Sequence, residues 1–163
     1  MQNFFVKSHG LGNDYIVLNQ NQIEFELSKN AIITICDEHY GIGSDGILLK
    51  VRIVVADFGL RILNPDGSEA EKSGNGLRIF AKYLYDNHFA KTKQFTIETL
   101  GGLVRAEVIE EKNGKAQTIK VDMGRAIFNS PEIPIKSDNP ECIDETLHLE
   151  YKDYQINCVS VGN

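Results

Sequence analysis

The segment Ser73-Gly74-Asn75-Gly76 combines a hydroxyl, an amide and two glycines within a single turn. A helix that begins here directs unpaired backbone N–H groups and the positive end of its dipole toward whatever lies in front. The glycines let a ligand approach the backbone closely. The segment therefore predicts a site for a carboxylate or a phosphate, with Ser73 beside it. The alternative is a glycine-rich helix start that serves only tight packing.

Two other loops also combine glycines with amide or acid groups. They are His9-Gly-Leu-Gly-Asn-Asp14 and Gly41-Ile-Gly-Ser-Asp-Gly46. His9 alone is interpreted as a hydrogen-bonding loop residue rather than a catalyst. Asp45 either orients other loops or forms a local turn, and the local turn is slightly favoured. Three such loops in one small chain indicate a shared cleft.

The elements that position these loops follow from hydrophobic periodicity. Ser28 is predicted to cap a helix that presents residues from Ala31 to His39 on one face and that Gly41 ends. Asn113-Gly114 is typical of a two-residue hairpin turn, and residues 124–144, which contain three prolines, are predicted to be irregular. We predict strands at 4–7, 15–19, 45–51, 54–64, 94–99, 103–110, 118–123 and 155–161.

The segment from Asn75 to about Asn87 is apolar around nearly its whole circumference. A helix of this kind is buried on all sides, so we expect it to run through the middle of a wrapped sheet. Strands outnumber helices, and most connections are short hairpins. The pattern predicts an α+β fold in which a curved, mainly antiparallel sheet surrounds a central buried helix, with residues 1–163 forming a single domain.

Composition narrows the classes of partner. The net charge is −6 and the chain has no basic block, which argues against nucleic acid and anionic membranes. No apolar run approaches the ~20 residues of a membrane span, and no signal peptide is visible, so a cytoplasmic protein is expected. Cys36, Cys142 and Cys158 match no zinc spacing, which predicts reduced, mostly buried thiols and no metal.

Five motifs, in this order and spacing, resemble those of the diaminopimelate epimerase family. They are His9–Asp14, Gly41–Gly46, Asn64-Pro-Asp-Gly-Ser-Glu69, Ser73-Gly-Asn-Gly-Leu-Arg78 and Ser160-Val-Gly-Asn163. The resemblance covers the whole chain and implies the N-terminal half of such an enzyme, whose second, similar domain is absent. It also implies the family's fold and its common pairing as a homodimer.

The implied reaction interconverts LL- and meso-diaminopimelate, in lysine and cell-wall precursor biosynthesis, without pyridoxal phosphate or another cofactor. Two cysteines, one from each domain, face the α-carbon from opposite sides; one removes its proton and the other returns one. Since no cofactor spreads the charge of the carbanion, catalysis must come from helix N-termini around the carboxylate and from exclusion of water.

The resemblance also implies site residues. The substrate ligands are Asn13, Asn64, Gly74, Asn75 and Asn163. The first catalytic cysteine of the family falls on Ser73 in this chain. A thiol of pKa ~8.5 becomes an anion readily at a helix N-terminus, whereas a serine hydroxyl needs a base. No His or Lys is positioned to serve as that base, although Lys72 adjoins Ser73, and Cys36 is expected in the core.

Loss of such a catalytic group costs ~10⁴-fold or more in rate. The resemblance therefore implies a diaminopimelate epimerase whose activity is impaired by Ser73 and by truncation. Two alternatives remain open: a same-fold isomerase of another amino acid, and a non-catalytic relative that binds an amino acid.

Overall fold

A computed structural model describes residues 3–161 and contains two compact units, which divide between Asp122 and Met123. The expectation of one domain over 1–163 stays a prediction, because compactness alone does not establish which parts fold independently. No α-helix among residues 3–161 is long and apolar enough to cross a membrane.

The first unit contains a sheet of eight strands and two α-helices. The strands are β1 (Phe5–Gly10), β2 (Asn13–Asn19), β3 (Ile47–Val51), β4 (Phe58–Leu63), β5 (Glu69–Ala70), β6 (Gln94–Thr99), β7 (Gly102–Lys112) and β8 (Lys115–Val121). The helices are α1 (Lys29–Cys36) and α2 (Gly74–Asp86). A short 3-10 turn follows β2 at Gln20–Gln22.

The strand order is β1-β2-β3-β4-β6-β7-β8, with β5 paired to β4. All neighbours are antiparallel except β2 with β3 and β4 with β6, which are parallel. The prediction of a mainly antiparallel α+β fold is therefore confirmed. The two parallel pairs arise because α1 and α2 lie in the connections, which a tight hairpin could not make.

Helix α2 occupies the middle of this unit. Leu77, Phe80, Ala81 and Leu84 are fully buried. The helix packs against β1, β2, β7 and β8. The predicted central buried helix is confirmed, and it begins and ends within one residue of the predicted bounds.

Local chemistry moves three predicted boundaries. Helix α1 has the predicted Ser28 cap but ends at Cys36, because the carboxylate of Asp37 accepts the backbone N–H groups of His39 and Tyr40. His39 therefore lies outside the helix. Strands β1 and β2 extend into the predicted loop 8–14, because Leu11 (φ 57°) and Gly12 (φ 89°) form a two-residue turn whose twist suits a hairpin.

The second unit is mostly irregular, as predicted for 124–144. It contains a 3-10 turn at Ser130–Glu132 and the antiparallel pair β9 (Glu145–His148) and β10 (Asp153–Ile156). The predicted strand at 155–161 is wrong in extent, because regular pairing ends at Ile156 and only a single bridge joins Ser160 to Ile127.

Candidate active site

The start of α2 is built around the hydroxyl of Ser73. The backbone of Ser73 is extended (φ −145°, ψ 116°), and its Oγ accepts the N–H of Gly76 at 3.1 Å. Ser73 is thus the N-cap, and its carbonyl accepts the N–H of Leu77 at 2.8 Å. The N–H groups of Gly74 and Asn75 belong to the first turn, where no helical carbonyl can reach them. The predicted position and polarity of this helix start are confirmed.

Gly76 has a packing role in the same turn. A Cβ at this position would lie 3.0 Å from Cδ2 of the buried Leu48 and 3.2 Å from Oγ of Ser73. A side chain here would therefore press on the core and on the cap together. The packing interpretation of the glycines is correct for Gly76, and it is compatible with ligand binding in front of the helix.

The amide of Asn75 has a defined orientation. Its Oδ1 accepts a hydrogen bond from Nη2 of Arg78, one turn along α2. Since a guanidinium carries only donors, the Oδ1 atom must face Arg78 and the Nδ2 donor must face the other way. The end of β1 lies beside this residue: a Cβ added to Gly10 would be 3.6 Å from that of Asn75. Asn75 therefore offers a donor at the helix start.

Asp45 joins the first two glycine loops. Its Oδ2 accepts the Nδ2 of Asn13 at 3.1 Å and the backbone N–H of Asp14 at 2.9 Å. Its own N–H donates to the carbonyl of Asp14 at 3.0 Å. Asp45 thus orients the neighbouring loop, which is the interpretation that the sequence made less favoured. Because a carboxylate only accepts, the amide of Asn13 must turn its Nδ2 toward Asp45, which leaves its Oδ1 as an acceptor for another group.

The third asparagine, Asn64, lies in the turn between β4 and β5. Its Nδ2 donates to Oγ of Ser68 at 2.9 Å, and that hydroxyl donates to Oδ1 of Asp66 at 2.6 Å. Because these bonds engage the Nδ2 of Asn64, its Oδ1 is left as an acceptor for another group. Hydrogen bonds from Ser68 also hold the pKa of the Asp66 carboxyl below its usual value. Strand β5, paired to β4, then leads the chain back toward Ser73.

Tyr15 links these parts, and sequence reasoning missed it. The side chain is 7% exposed, and its hydroxyl lies 3.3 Å from Oγ of Ser73. Its ring packs on Gly46, where a Cβ would stand 3.0 Å from the ring and 2.6 Å from the carbonyl oxygen of Leu63. The available signal was a polar hydroxyl on the otherwise apolar run from Tyr15 to Leu18, directly after a glycine loop.

Other candidate residues lie apart from this cluster. His9 lines a groove with Arg78 and Lys82, between β1, α2 and β8. The side chain of Lys72 runs along Gly101, in the turn between β6 and β7. Cys36 is buried, and this burial raises the pKa of its thiol. Asn163 lies outside the described residues.

The three cysteines are free thiols, with Cys36 and Cys142 buried and Cys158 half-buried, as predicted. Among residues 3–161, the His, Cys, Asp and Glu side chains form no group of three or more that could hold a metal ion.

The fold of this chain, a sheet around one central helix, is similar to that of two solved structures. A crystal structure of a hydroxyproline epimerase from Agrobacterium vitis has a TM-score of 0.68 and 14% identity, and the match covers 95% of this chain and 48% of that one. A probable proline racemase from Agrobacterium radiobacter has a TM-score of 0.67 and 16% identity, with the same coverage. At such identities the likeness concerns the fold alone.

The diaminopimelate epimerase family model matches residues 5–129, and the chain belongs to this family. Diaminopimelate epimerase 2 of Nostoc sp. is 45% identical over 160 residues, which cover 98% of this chain and 55% of that protein. The diaminopimelate epimerase of Caldanaerobacter subterraneus is 44% identical over 158 residues, which cover 97% and 57%. The predicted family is confirmed, and the chain spans a little over half the length of these relatives.

Proposed function

We propose that this chain forms the N-terminal, substrate-binding part of a cofactor-independent diaminopimelate epimerase. The observation that supports the proposal is which amide atoms of the predicted ligands are already engaged. In Asn13 and Asn64 the nitrogen is engaged, which leaves the carbonyl oxygen as an acceptor; in Asn75 the oxygen is engaged, which leaves the nitrogen as a donor. An amino acid carries an ammonium group, which needs acceptors, beside a carboxylate, which needs donors.

The donors are at the helix start. The backbone N–H groups of Gly74 and Asn75 and the Nδ2 of Asn75 would bind the α-carboxylate of the substrate. The helix dipole adds typically 0.3–1 kcal/mol for an anion at an exposed N-terminus, and up to ~2 kcal/mol where the site is partly buried. These same donors would stabilise the extra charge that the carboxylate takes up when the α-carbon loses its proton.

The acceptors would be the side-chain Oδ1 atoms of Asn13 and Asn64. Both amides are already held by hydrogen bonds inside the protein, so little side-chain entropy remains to be lost when an ammonium group binds. Asn163, the remaining predicted ligand, belongs to the same proposal through the family resemblance of Ser160–Asn163.

Residue 73 would face the α-carbon, where the family places a catalytic cysteine. The hydroxyl of Ser73 already accepts the Gly76 N–H, and the neighbouring Lys72 lies along Gly101. A serine hydroxyl is less acidic than a thiol, and the described residues place no base here to activate it. The Ser73 form should therefore bind the substrate and epimerise it at least ~10⁴-fold more slowly than a cysteine form.

The rest of the proposal concerns the whole protein. We propose a second domain that supplies the opposite cysteine, pairing as a homodimer, a cytoplasmic location and catalysis without cofactor. The length of the relatives supports the second domain. The acidic charge supports the absence of nucleic acid and membrane partners.

One observation supports a second candidate, a protein that binds an amino acid without turnover. Ser73 is a well-formed helix cap, and serine is among the residues most favoured at that position. A cap that stabilises α2 is useful to a binding protein even without chemistry. A same-fold isomerase of another amino acid is distinguished from both candidates by its substrate.

The test uses a protein of the relatives' length that carries this chain, with Ser73 and as Ser73→Cys. Each form is incubated with meso-diaminopimelate in D2O, and α-deuterium is measured by mass spectrometry, with binding measured by calorimetry. We expect both forms to bind and only Ser73→Cys to incorporate deuterium at an appreciable rate.

The matched control is Ser28→Cys, which makes the same chemical change at the cap of α1. It should incorporate no more deuterium than the Ser73 form. Binding without exchange by Ser73→Cys would favour the second candidate. Absence of both binding and exchange would contradict the proposal.

A further inference from the structure

Tyr15 makes a contact in the site to which no role has yet been assigned. Its hydroxyl is 3.3 Å from Oγ of Ser73, the residue that would face the α-carbon of the substrate. The two residues are 58 positions apart in the chain, so only the fold brings them together. The residue is 7% exposed, and its hydroxyl meets Ser73 in a partly buried contact.

The ring of Tyr15 has little freedom to move away. It packs on Gly46, whose position has no room for a side chain between the ring and the carbonyl of Leu63. Strand β2, which begins just before Tyr15, pairs with β1 on one side and with β3 on the other. The hydroxyl is thus held at one place, beside the cap of α2.

We propose that Tyr15 is a positioning residue, whose hydroxyl orients the side chain at position 73 and donates a hydrogen bond to it when it becomes an anion. The assignment of residue 73 to the reaction rests on the proposed function. The hydrogen bond itself does not, because it is present in the chain without any substrate.

Two donors then converge on residue 73. The N–H of Gly76 reaches it from α2, and the hydroxyl of Tyr15 reaches it from β2. An anion that accepts two hydrogen bonds is stabilised relative to its protonated form, and its reactive atom is fixed in direction. Phenylalanine at position 15 would keep the ring packing and remove only one of the two donors.

The test measures the thiol of the Ser73→Cys variant, made in the chain studied here. Its alkylation by iodoacetamide is followed from pH 5 to pH 10, and peptide mapping separates it from Cys36, Cys142 and Cys158. When Tyr15→Phe is added to Ser73→Cys, the thiol at position 73 should titrate about one pH unit higher than in Ser73→Cys alone. The reason is that the thiolate loses one hydrogen bond.

The matched control is Tyr83→Phe in the same background. Tyr83 is also buried (6% exposed), lies on α2 itself and packs against Phe80 and Phe89. Removal of the Tyr83 hydroxyl should leave the titration of the thiol at position 73 unchanged. The charged groups of the adjoining loops and of α2, among them Asp14, Asp45, Lys72 and Arg78, are retained in every variant, so the difference reports the Tyr15 hydroxyl.

Replacement of Tyr15 by 3-fluorotyrosine gives a second arm, because a more acidic phenol is a stronger donor. It should move the titration of the thiol to lower pH, opposite to phenylalanine. Coincident curves for Tyr15→Phe and its parent, equal shifts from both tyrosine sites, or a thiol at position 73 that never reacts would each overturn the proposal. Alkylation needs no diaminopimelate, so these results are independent of whether the proposed reaction occurs.

Discussion

Removal of the Ser73 hydroxyl should destabilise the protein by more than an ordinary helix cap does. In Ser73→Ala, the N–H of Gly76 loses its acceptor at 3.1 Å, and the hydroxyl of Tyr15 loses its partner at 3.3 Å. Loss of a cap costs ~1 kcal/mol, within a range of 0.5–2 kcal/mol. Loss of the partly buried contact with Tyr15 costs a further ~1 kcal/mol, the net contribution of a typical hydrogen bond. We expect a loss of ~2 kcal/mol in the free energy of unfolding.

Urea unfolding followed by circular dichroism measures this loss. With a denaturant slope of ~2 kcal/mol/M, the midpoint of Ser73→Ala should fall by about 1 M at unchanged slope. Ser28→Ala is the control, because Ser28 caps the shorter and more exposed α1 through a single bond of 3.3 Å. It should cost ~0.5–1 kcal/mol.

A double-mutant cycle separates the two contributions. Once Tyr15→Phe has removed the hydroxyl, Ser73→Ala should cost only the ~1 kcal/mol of the cap. The reasoning would be refuted if Ser73→Ala were as stable as the parent within 0.5 kcal/mol, or if the two changes were additive. Additivity would mean that the contact between Tyr15 and Ser73 contributes nothing to stability, and an unchanged Ser73→Ala would mean that neither this contact nor the cap contributes.

Three further outcomes are expected. Gly46→Ala should lower the free energy of unfolding by ~1–3 kcal/mol in urea, because its Cβ would lie 2.6 Å from the carbonyl oxygen of Leu63; a loss below 0.5 kcal/mol would contradict this packing. Hydrogen bonds from β6 lower the pKa of Asp57, so its stabilising contribution is present above its ordinary pKa of 3.8 and is lost as pH falls through the lower folded value. Asp57→Asn should therefore show a smaller fall in urea midpoint between pH 5 and pH 2 than the parent, and equal falls would refute the assignment. Burial and the neighbouring Cys158 raise the pKa of Cys142 to about 11, so at pH 8 iodoacetamide should modify Cys158 well before Cys142, and the reverse order would be inconsistent with the structure.

Structural features that are set by residues close together in the sequence were predicted well. The strand at 94–99 and the turn at Asn113-Gly114, with φ of 53° and 74°, follow from residues that lie together in the sequence. The cap of α2 and the burial of its apolar residues follow from the composition of one turn and one helix, although Arg78 and Lys82 leave one side of the helix half-exposed. Such features need only local sterics and periodicity, which a sequence carries directly.

The particular contacts between distant parts of the chain were mostly not predicted. Tyr15 meets Ser73 across 58 positions, and nothing in its own segment indicates that partner. Asp45 meets Asp14 across 31 positions, which is the alternative that the sequence raised but did not favour. The parallel pairing of β2 with β3 could not be predicted either, because the hydrophobic period of a strand is the same in parallel and antiparallel pairs.

Binding of the substrate at the start of α2 is tested most directly by NMR. A ¹⁵N-labelled protein of the relatives' length is titrated with diaminopimelate, and the shift of each backbone amide is followed. The largest shifts should belong to Gly74, Asn75 and Gly76, with smaller ones at Asn13 and Asn64. Saturable binding whose largest shifts lie elsewhere, with the amides of the first turn of α2 unmoved, would contradict the account.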